Sequence, residues 1–241
     1  MGYGSMLKTR GQKKLEETET TGQFWRSTIF DMDTRLRVSR GIAKTETQAS
    51  VEAFKMLKER GHPDAPPPLV SDGWGGIDEA LIEVYGCTPA YSGRGRPSLK
   101  KRADDDWQYL QVVKHRENGR VIGTELRVIY GDRQTVLTAL GKSTSHVERT
   151  HLTMRHLNSR LRRKTIAYSK ELNMCKASCV WEDMYYNWMR PHKSLRIEIF
   201  GDPKRRWKKQ TPAMAAKLTD HIWNVKELLY LIKTPLSCNN T

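Results

Sequence analysis

Between residues 25 and 85 the hydrophobic pattern alternates between strand and helix periods, and that order constrains the chain more than any other feature. Trp25–Phe30 and Leu36–Ile42 read as two short strands joined by a turn at Asp31–Arg35, where Asp and Thr suit the turn. From Thr45 to Arg60 the apolar residues Ala49, Ala53, Phe54, Met56 and Leu57 fall on one helical face, and Gly61 stops the helix. The stretch PDAPPP at 63–68 is a stiff connector. A short buried strand then ends at Asp72, and Ile77–Tyr85 reads as a helix. Strands first, then strand alternating with helix, predict a mixed α/β sheet flanked by helices.

Further along, residues 86–103 form a Gly/Pro/Arg-rich loop. Trp107–His115 and Val121–Tyr130 read as a β-hairpin turning at Asn118-Gly119, inserted between the strand at Asp72 and a later helix. That helix is expected from near Ser145 toward Ser169, and residues 176–241 look mostly helical. The expected organisation is a polar leader over 1–24, a core over 25–175 with an insertion at about 87–141, and a helical C-terminal extension over 176–241. No internal repeat is visible.

Charge supplies the first functional indication. Lys and Arg number 42 against 27 Asp and Glu, a formal net charge of +15, which favours a polyanionic partner through counterion release from phosphates. The cations cluster: Arg94, Arg96, Lys100, Lys101 and Arg102; then Arg160, Arg162, Arg163 and Lys164; then Lys204, Arg205, Arg206, Lys208 and Lys209 around Trp207. Basic residues interleaved with an aromatic suit a strand that meets phosphates and bases together. Each cluster taken alone reads first as a solvated loop or helix face.

The four cysteines, Cys87, Cys175, Cys179 and Cys238, lack Cys-x-x-Cys spacing and a following His pair, which argues against a disulfide scaffold or a zinc finger. The N-terminal MGYGSMLKTRGQKKLE has no apolar core of the secretory kind. The apolar run Leu228–Ile232 is far too short to cross a bilayer. These features predict free thiols in a reducing cytosol, a cytoplasmic location and no membrane association.

Two acids stand out. Asp72 closes an apolar strand and precedes Gly73; it reads as a functional carboxylate at a strand end or as an ordinary turn Asp. Glu148 opens the long helix; Ser145-His-Val-Glu148 also fits a capping box. Glu148, Arg155 and Arg162 are spaced by seven and align along one helix side, with Val147, Met154, Leu157 and Leu161 on a neighbouring core-facing stripe. Three motifs fail on inspection. His146 and His151 are five apart, not the four of a zinc-protease helix; GKST at 141–144 has Val136 where a phosphate loop needs Gly; and Gly73, Gly75 and Gly76 make no dinucleotide fingerprint.

Taken in order, VSDGWGG (70–76), HVERTHLTMRHLNSRLRRKTIAYSK (146–170), YNWMRPHKSL (186–195) and TPAMAAKLTDHIWNVKELL (211–229) resemble bacterial and archaeal insertion-sequence transposases. The nearest resemblance is to the family founded on insertion sequence one, of the DDE type, within the ribonuclease H-like and retroviral-integrase superfamily. The resemblance implies a ribonuclease H-like fold and magnesium (or manganese) held by three carboxylates for cutting and joining DNA, with two ions clamping an in-line displacement at phosphorus. It assigns Asp72 and Glu148 as the second and third carboxylates and metal ligands. It implies DNA contacts from Arg155, Arg162, Arg163, Lys164, Arg190 and His192, although the Arg190-Pro191-His192 element serves packing equally well. The implied partners are double-stranded DNA, as element ends and target, and further copies of the chain in a homo-oligomer.

The chain departs from that family at the first carboxylate. Asp31 lies in a turn that the fold would place at the far end of the sheet, about 20 Å from Asp72 across a six-residue strand. The family's Asp-Glu-x-Trp-Ser-Phe strand falls in register with about Met1–Met6, where no Asp or Glu occurs before Glu16. The expectation is therefore a chain cut short at or just after that Asp. Such a chain would be impaired in catalysis, or would be a non-catalytic DNA-binding remnant that inhibits an intact transposase. A third possibility is a different nuclease of the same fold, completed by an acid such as Asp33 or Asp78.

Overall fold

A computed structural model describes residues 3–7, 22–91, 93, 96, 98–140, 145–161, 166, 167, 169, 171–199 and 206–233. The chain divides into two compact units. One comprises residues 1–30 and 38–176, the other residues 31–37 and 177–241.

In the first unit, β1 (Tyr3–Leu7) pairs antiparallel with β2 (Gly22–Phe30), and β3 (Arg37–Ala43) completes a sheet of order β1-β2-β3. Helix α1 (Glu46–Arg60) follows. Thr45 caps it, accepting from the Gln48 backbone N–H, and Gly61 ends it. The helix sits close on β3 because Gly41 has no side chain: a Cβ there would lie 1.9 Å from the Ala49 carbonyl oxygen.

The second sheet has the order β4-β5-β6. Strand β4 (Leu69–Asp72) runs parallel to β5 (Tyr109–Glu117), pairing Leu69 with Tyr109 and Asp72 with Val112. Strand β6 (Arg120–Tyr130) returns antiparallel through Asn118 (φ 48°) and Gly119 (φ 78°), a turn with two left-handed residues that Asn-Gly favours. The expected hairpin is present and forms a mixed sheet with β4.

Helices cover both faces of this sheet. Val51, Phe54 and Leu57 of α1 and Ala80, Leu81 and Tyr85 of α2 (Gly76–Tyr85) pack with Trp107, Tyr109, Leu69 and Ile129 on one face. On the other, Val136 and Leu140 of α3 (Arg133–Leu140) pack with Val70, Leu110 and Val128. Alternation along β4 accounts for this split, with Leu69 facing one layer and Val70 the other. Helix α3 was not foreseen; Asp132 caps it by accepting from the backbone N–H and the hydroxyl of Thr135.

Helix α4 (Ser145–Leu157) is shorter than the sequence pattern suggested. Asn158 ends it: its side-chain oxygen accepts the Arg160 N–H at 3.1 Å, and a 3-10 turn, Ser159–Leu161, takes over. Met154 and Leu161 are buried as expected, but Leu157 is exposed; Thr150 and His151 fill the buried face instead.

Helix α5 (Leu172–Met184), whose residues from Ala177 on belong to the second unit, continues as a π-helical turn over Tyr185–Met189. Strands β7 (Ile197–Glu198) and β8 (Trp207–Lys208) form a small antiparallel ribbon in a region expected to be helical. Two helices follow, α6 (Pro212–Ala215), capped by Thr211, and α7 (Val225–Lys233). Its core holds Arg37, whose side chain is wholly buried. The guanidinium bonds Glu182 and, at 3.1 Å, Asp183, and lies 3.8 Å from the Tyr186 ring centroid. The backbone N–H of Arg37 donates to Asn187 Oδ1, and Asn187 Nδ2 donates to the Arg37 carbonyl, both at 3.0 Å. Among the described residues no helix is long and apolar enough to cross a membrane.

Candidate functional site

The C-terminal end of β4 is where the first unit presents chemistry. Asp72 closes the strand, paired with Val112, and Gly73 follows in close contact with Val113: a Cβ at Gly73 would lie 2.8 Å from Val113 Cγ2. Behind Asp72 runs a chain of hydrogen bonds. Gln111 Nε2 donates to the Tyr109 hydroxyl at 3.1 Å, that hydroxyl meets Ser71 Oγ at 2.7 Å, and Ser71 Oγ donates to the Asp72 carbonyl at 2.7 Å. Tyr109 and Gln111 are buried, so the chain is a fixed support that holds the backbone of Asp72. Burial raises the Tyr109 pKa; the carboxylates of Asp78 and Asp72 push it the same way, while the bonds to Ser71 and Gln111 oppose.

The Asp72 side chain differs from this network. Its Oδ1 is buried and has no hydrogen-bond partner among the described residues. A buried carboxylate oxygen without a donor costs free energy, and such a group calls for an explanation beyond packing. A hard divalent cation is one partner that fits it, because oxygen ligands suit magnesium and manganese. Alternation along β4 sends Ser71 to the face of Tyr109 and Asp72 to the face covered by α3.

Asp78 lies in the first turn of α2 and also has a buried oxygen without a partner among the described residues. It hydrogen-bonds the Tyr130 hydroxyl, which, after burial, is the next cause of that tyrosine's raised pKa. Asp78 thus ties α2 to Tyr130, while its other oxygen shares the orphaned state of Asp72 Oδ1. Asp33 is exposed in the β2–β3 turn, and its N–H donates to Asp31 Oδ1. Asp31 is used within the same turn, accepting from the backbone and hydroxyl of Thr34.

Glu148 lies on the first turn of α4, but its side chain is outside the described residues, as are those of Ser145 and Val147. Arg162, Arg163 and Lys164 are outside them altogether. Helix α4 is described as far as Leu157, and the expected alignment of Arg162 with Arg155 and Glu148 lies outside the described residues. Arg155 is half-buried, and its Nε donates back to the His151 carbonyl at 3.4 Å. In the second unit, Arg190 follows the π-helical turn with its N–H on the Tyr185 carbonyl. His192 packs edge-on against Tyr186 with ring centroids 4.7 Å apart, and its N–H reaches the Gln210 carbonyl at 2.8 Å.

Among the described residues no group of three or more His, Cys, Asp or Glu side chains is arranged to hold a metal ion. Sequence reasoning singled out Asp72 but not Ser71, Tyr109 or Gln111. The signal for them was the alternation of Tyr109 and Gln111 on one face of a strand parallel to β4. Comparison with protein-family models, curated proteins and solved structures yields no match to this chain.

Proposed function

We propose that the chain is a DNA-processing protein of the DDE transposase type, built on a ribonuclease H-like fold, with Asp72 as a ligand for a divalent metal and Glu148 as its companion. The observation that carries this reading is the Asp72 carboxylate: it closes a strand of a mixed sheet, its backbone is fixed by the Gln111–Tyr109–Ser71 chain, and one of its oxygens is buried without a donor among the described residues. Three further features support it. The succession of three strands, a helix and an acid-terminated strand is compatible with such a fold. Glu148 sits on a later helix. The net charge of +15 suits a nucleic-acid partner.

Asp72 and Glu148 would hold magnesium or manganese, whose contribution, when bound, is to offset charge on the attacking and leaving oxygens of a phosphodiester. The protein's own part is to keep Asp72 in place and dry on one side. Duplex DNA would be the substrate, and assembly of further copies would bring two element ends together.

A second reading rests on β1. The strand Tyr3–Leu7 carries neither Asp nor Glu, so it supplies no first carboxylate. On this reading the chain binds DNA without cutting it and restrains an intact transposase.

Divalent-ion binding to the full chain, measured calorimetrically with manganese, tests the shared premise. Binding should weaken at least tenfold in Asp72→Asn and in Glu148→Gln. Undiminished binding in both variants overturns the assignment of the site. A plasmid-nicking assay in manganese then separates the two readings. Cleavage abolished by Asp72→Asn supports the enzyme, and duplex binding without cleavage supports the remnant.

A further inference from the structure

The β7–β8 ribbon is a second place where the chain concentrates charge with unusual order. Its strands pair Ile197 with Lys208 and Glu198 with Trp207, and the flanking backbone adds the Ile199 N–H to the Arg206 carbonyl at 2.9 Å and the His192 N–H to the Gln210 carbonyl at 2.8 Å. Over the described residues 190–199 and 206–210 the cations are Arg190, Lys193, Arg196, Arg206, Lys208 and Lys209, and the only acid is Glu198.

Trp207 organises this charge. The Arg196 guanidinium lies 4.0 Å from its ring centroid and that of Arg206 lies 5.3 Å away. Glu198 accepts from Arg206 Nε at 2.9 Å, and the Arg206 side chain is 74% exposed. An arginine fixed in this way loses less rotamer freedom on meeting an anion than a free one does. The sequence alone suggested a tryptophan that stacks on bases. In the folded ribbon the ring is half-buried and engaged by guanidinium groups, a poor platform for an unpaired base. What the ribbon offers outward is an array of donors suited to phosphate oxygens.

We propose that the β7–β8 ribbon is a backbone-contact surface for double-stranded DNA, in which Arg196 and Arg206, ordered by Trp207, act with Lys208 and Lys209 on phosphates and leave base edges unread. The choice of DNA as the polyanion rests on the proposed function; the location and mode of contact do not follow from it.

Fluorescence anisotropy of the full chain on a labelled random-sequence duplex, followed across potassium chloride concentration, tests the proposal. Each phosphate contact contributes about 0.9 to the slope of log affinity against log salt. Arg206→Ala/Lys208→Ala/Lys209→Ala should lower that slope by about 2 to 3 and cost about 100-fold in affinity near physiological salt. Trp207→Leu, which keeps every charge, should weaken binding several-fold and leave the slope unchanged. Circular dichroism confirms that each variant is folded. A triple variant that binds duplex with wild-type slope and affinity overturns the ribbon's role while leaving the DNA reading intact. A wild-type chain with no affinity for duplex overturns the DNA reading itself. Tighter binding to a single strand of equal length, lost in Trp207→Leu, overturns the backbone-only mode.

Discussion

Replacing Arg37 by Met should destabilise the second unit more than any change on its surface. The side chain of Arg37 has no exposure, and those of Glu182 and Asp183 are only 4% and 7% exposed. Taking away the guanidinium leaves two carboxylates in a dry setting without the cation between them. Breaking a buried pair from one side costs about 3–5 kcal/mol, because the desolvated partner charge is left behind. The contact with the Tyr186 ring, of a kind worth up to about 2 kcal/mol when desolvated, is lost as well and places the expectation in the upper half of that range. With a urea m-value of about 2 kcal/mol/M, the midpoint should fall by roughly 2 M. Tryptophan emission is a suitable probe, since Trp188 and Trp223 pack together in the same unit with ring centroids 4.8 Å apart. The triple change Arg37→Met/Glu182→Gln/Asp183→Asn should recover at least about 2 kcal/mol of the loss, the mark of coupled groups. A single-variant cost below about 1 kcal/mol, or a triple variant no better than the single, would refute the reasoning.

Gly41→Ala should cost about 3 kcal/mol or more, because the added carbon meets the backbone at Ala49 and Ala53 rather than a movable side chain; thermal unfolding within a degree of wild type would contradict the packing of α1 on β3. His221 should titrate above its ordinary value of 6.5, chiefly through its hydrogen bond to Asp220, and Asp220→Asn should bring it back down in a nuclear magnetic resonance pH series. Since the folded value is the raised one, the stabilising effect of that pair is complete below about pH 6.5 and is lost as pH climbs through the higher value.

Legibility in the sequence followed the range of the interactions. Thr45, Gly61, Asn118 and Gly119 act within a few residues of themselves, so α1 and the β5–β6 turn could be read directly. Helix α3 was equally local, and Gly131-Asp132-x-x-Thr135 was a readable start that the strand pattern before it obscured. The long helix expected beyond Ser145 failed for the opposite reason. Its hydrophobic spacing continues past Leu157, but Asn158 turns its side chain onto the backbone and ends the helix there. The ribbon at Trp207 has strands of two residues each, too short for any period to register. Asp72 could be picked out because a strand end and an acid coincide. The orphaned state of its oxygen and the support from Gln111 and Tyr109 depend on how β4 and β5 align, which no local pattern encodes. The Arg37–Glu182 bond, spanning 145 positions, was invisible for the same reason.

The β5–β6 hairpin outlasts its neighbour. Strand β4 accompanies β5 only from Tyr109 to Val112, whereas β5 and β6 stay paired out to Glu117 and Arg120. Past Val112 the described ladder has two strands, and the side chains from His115 to Ile122 are exposed. This outer stretch adds nothing to the packed layers, so its length is free to drift. Deleting one cross-strand couple, or splicing in another, would slide the tip along its own axis and leave the register at Asp72 as it stands.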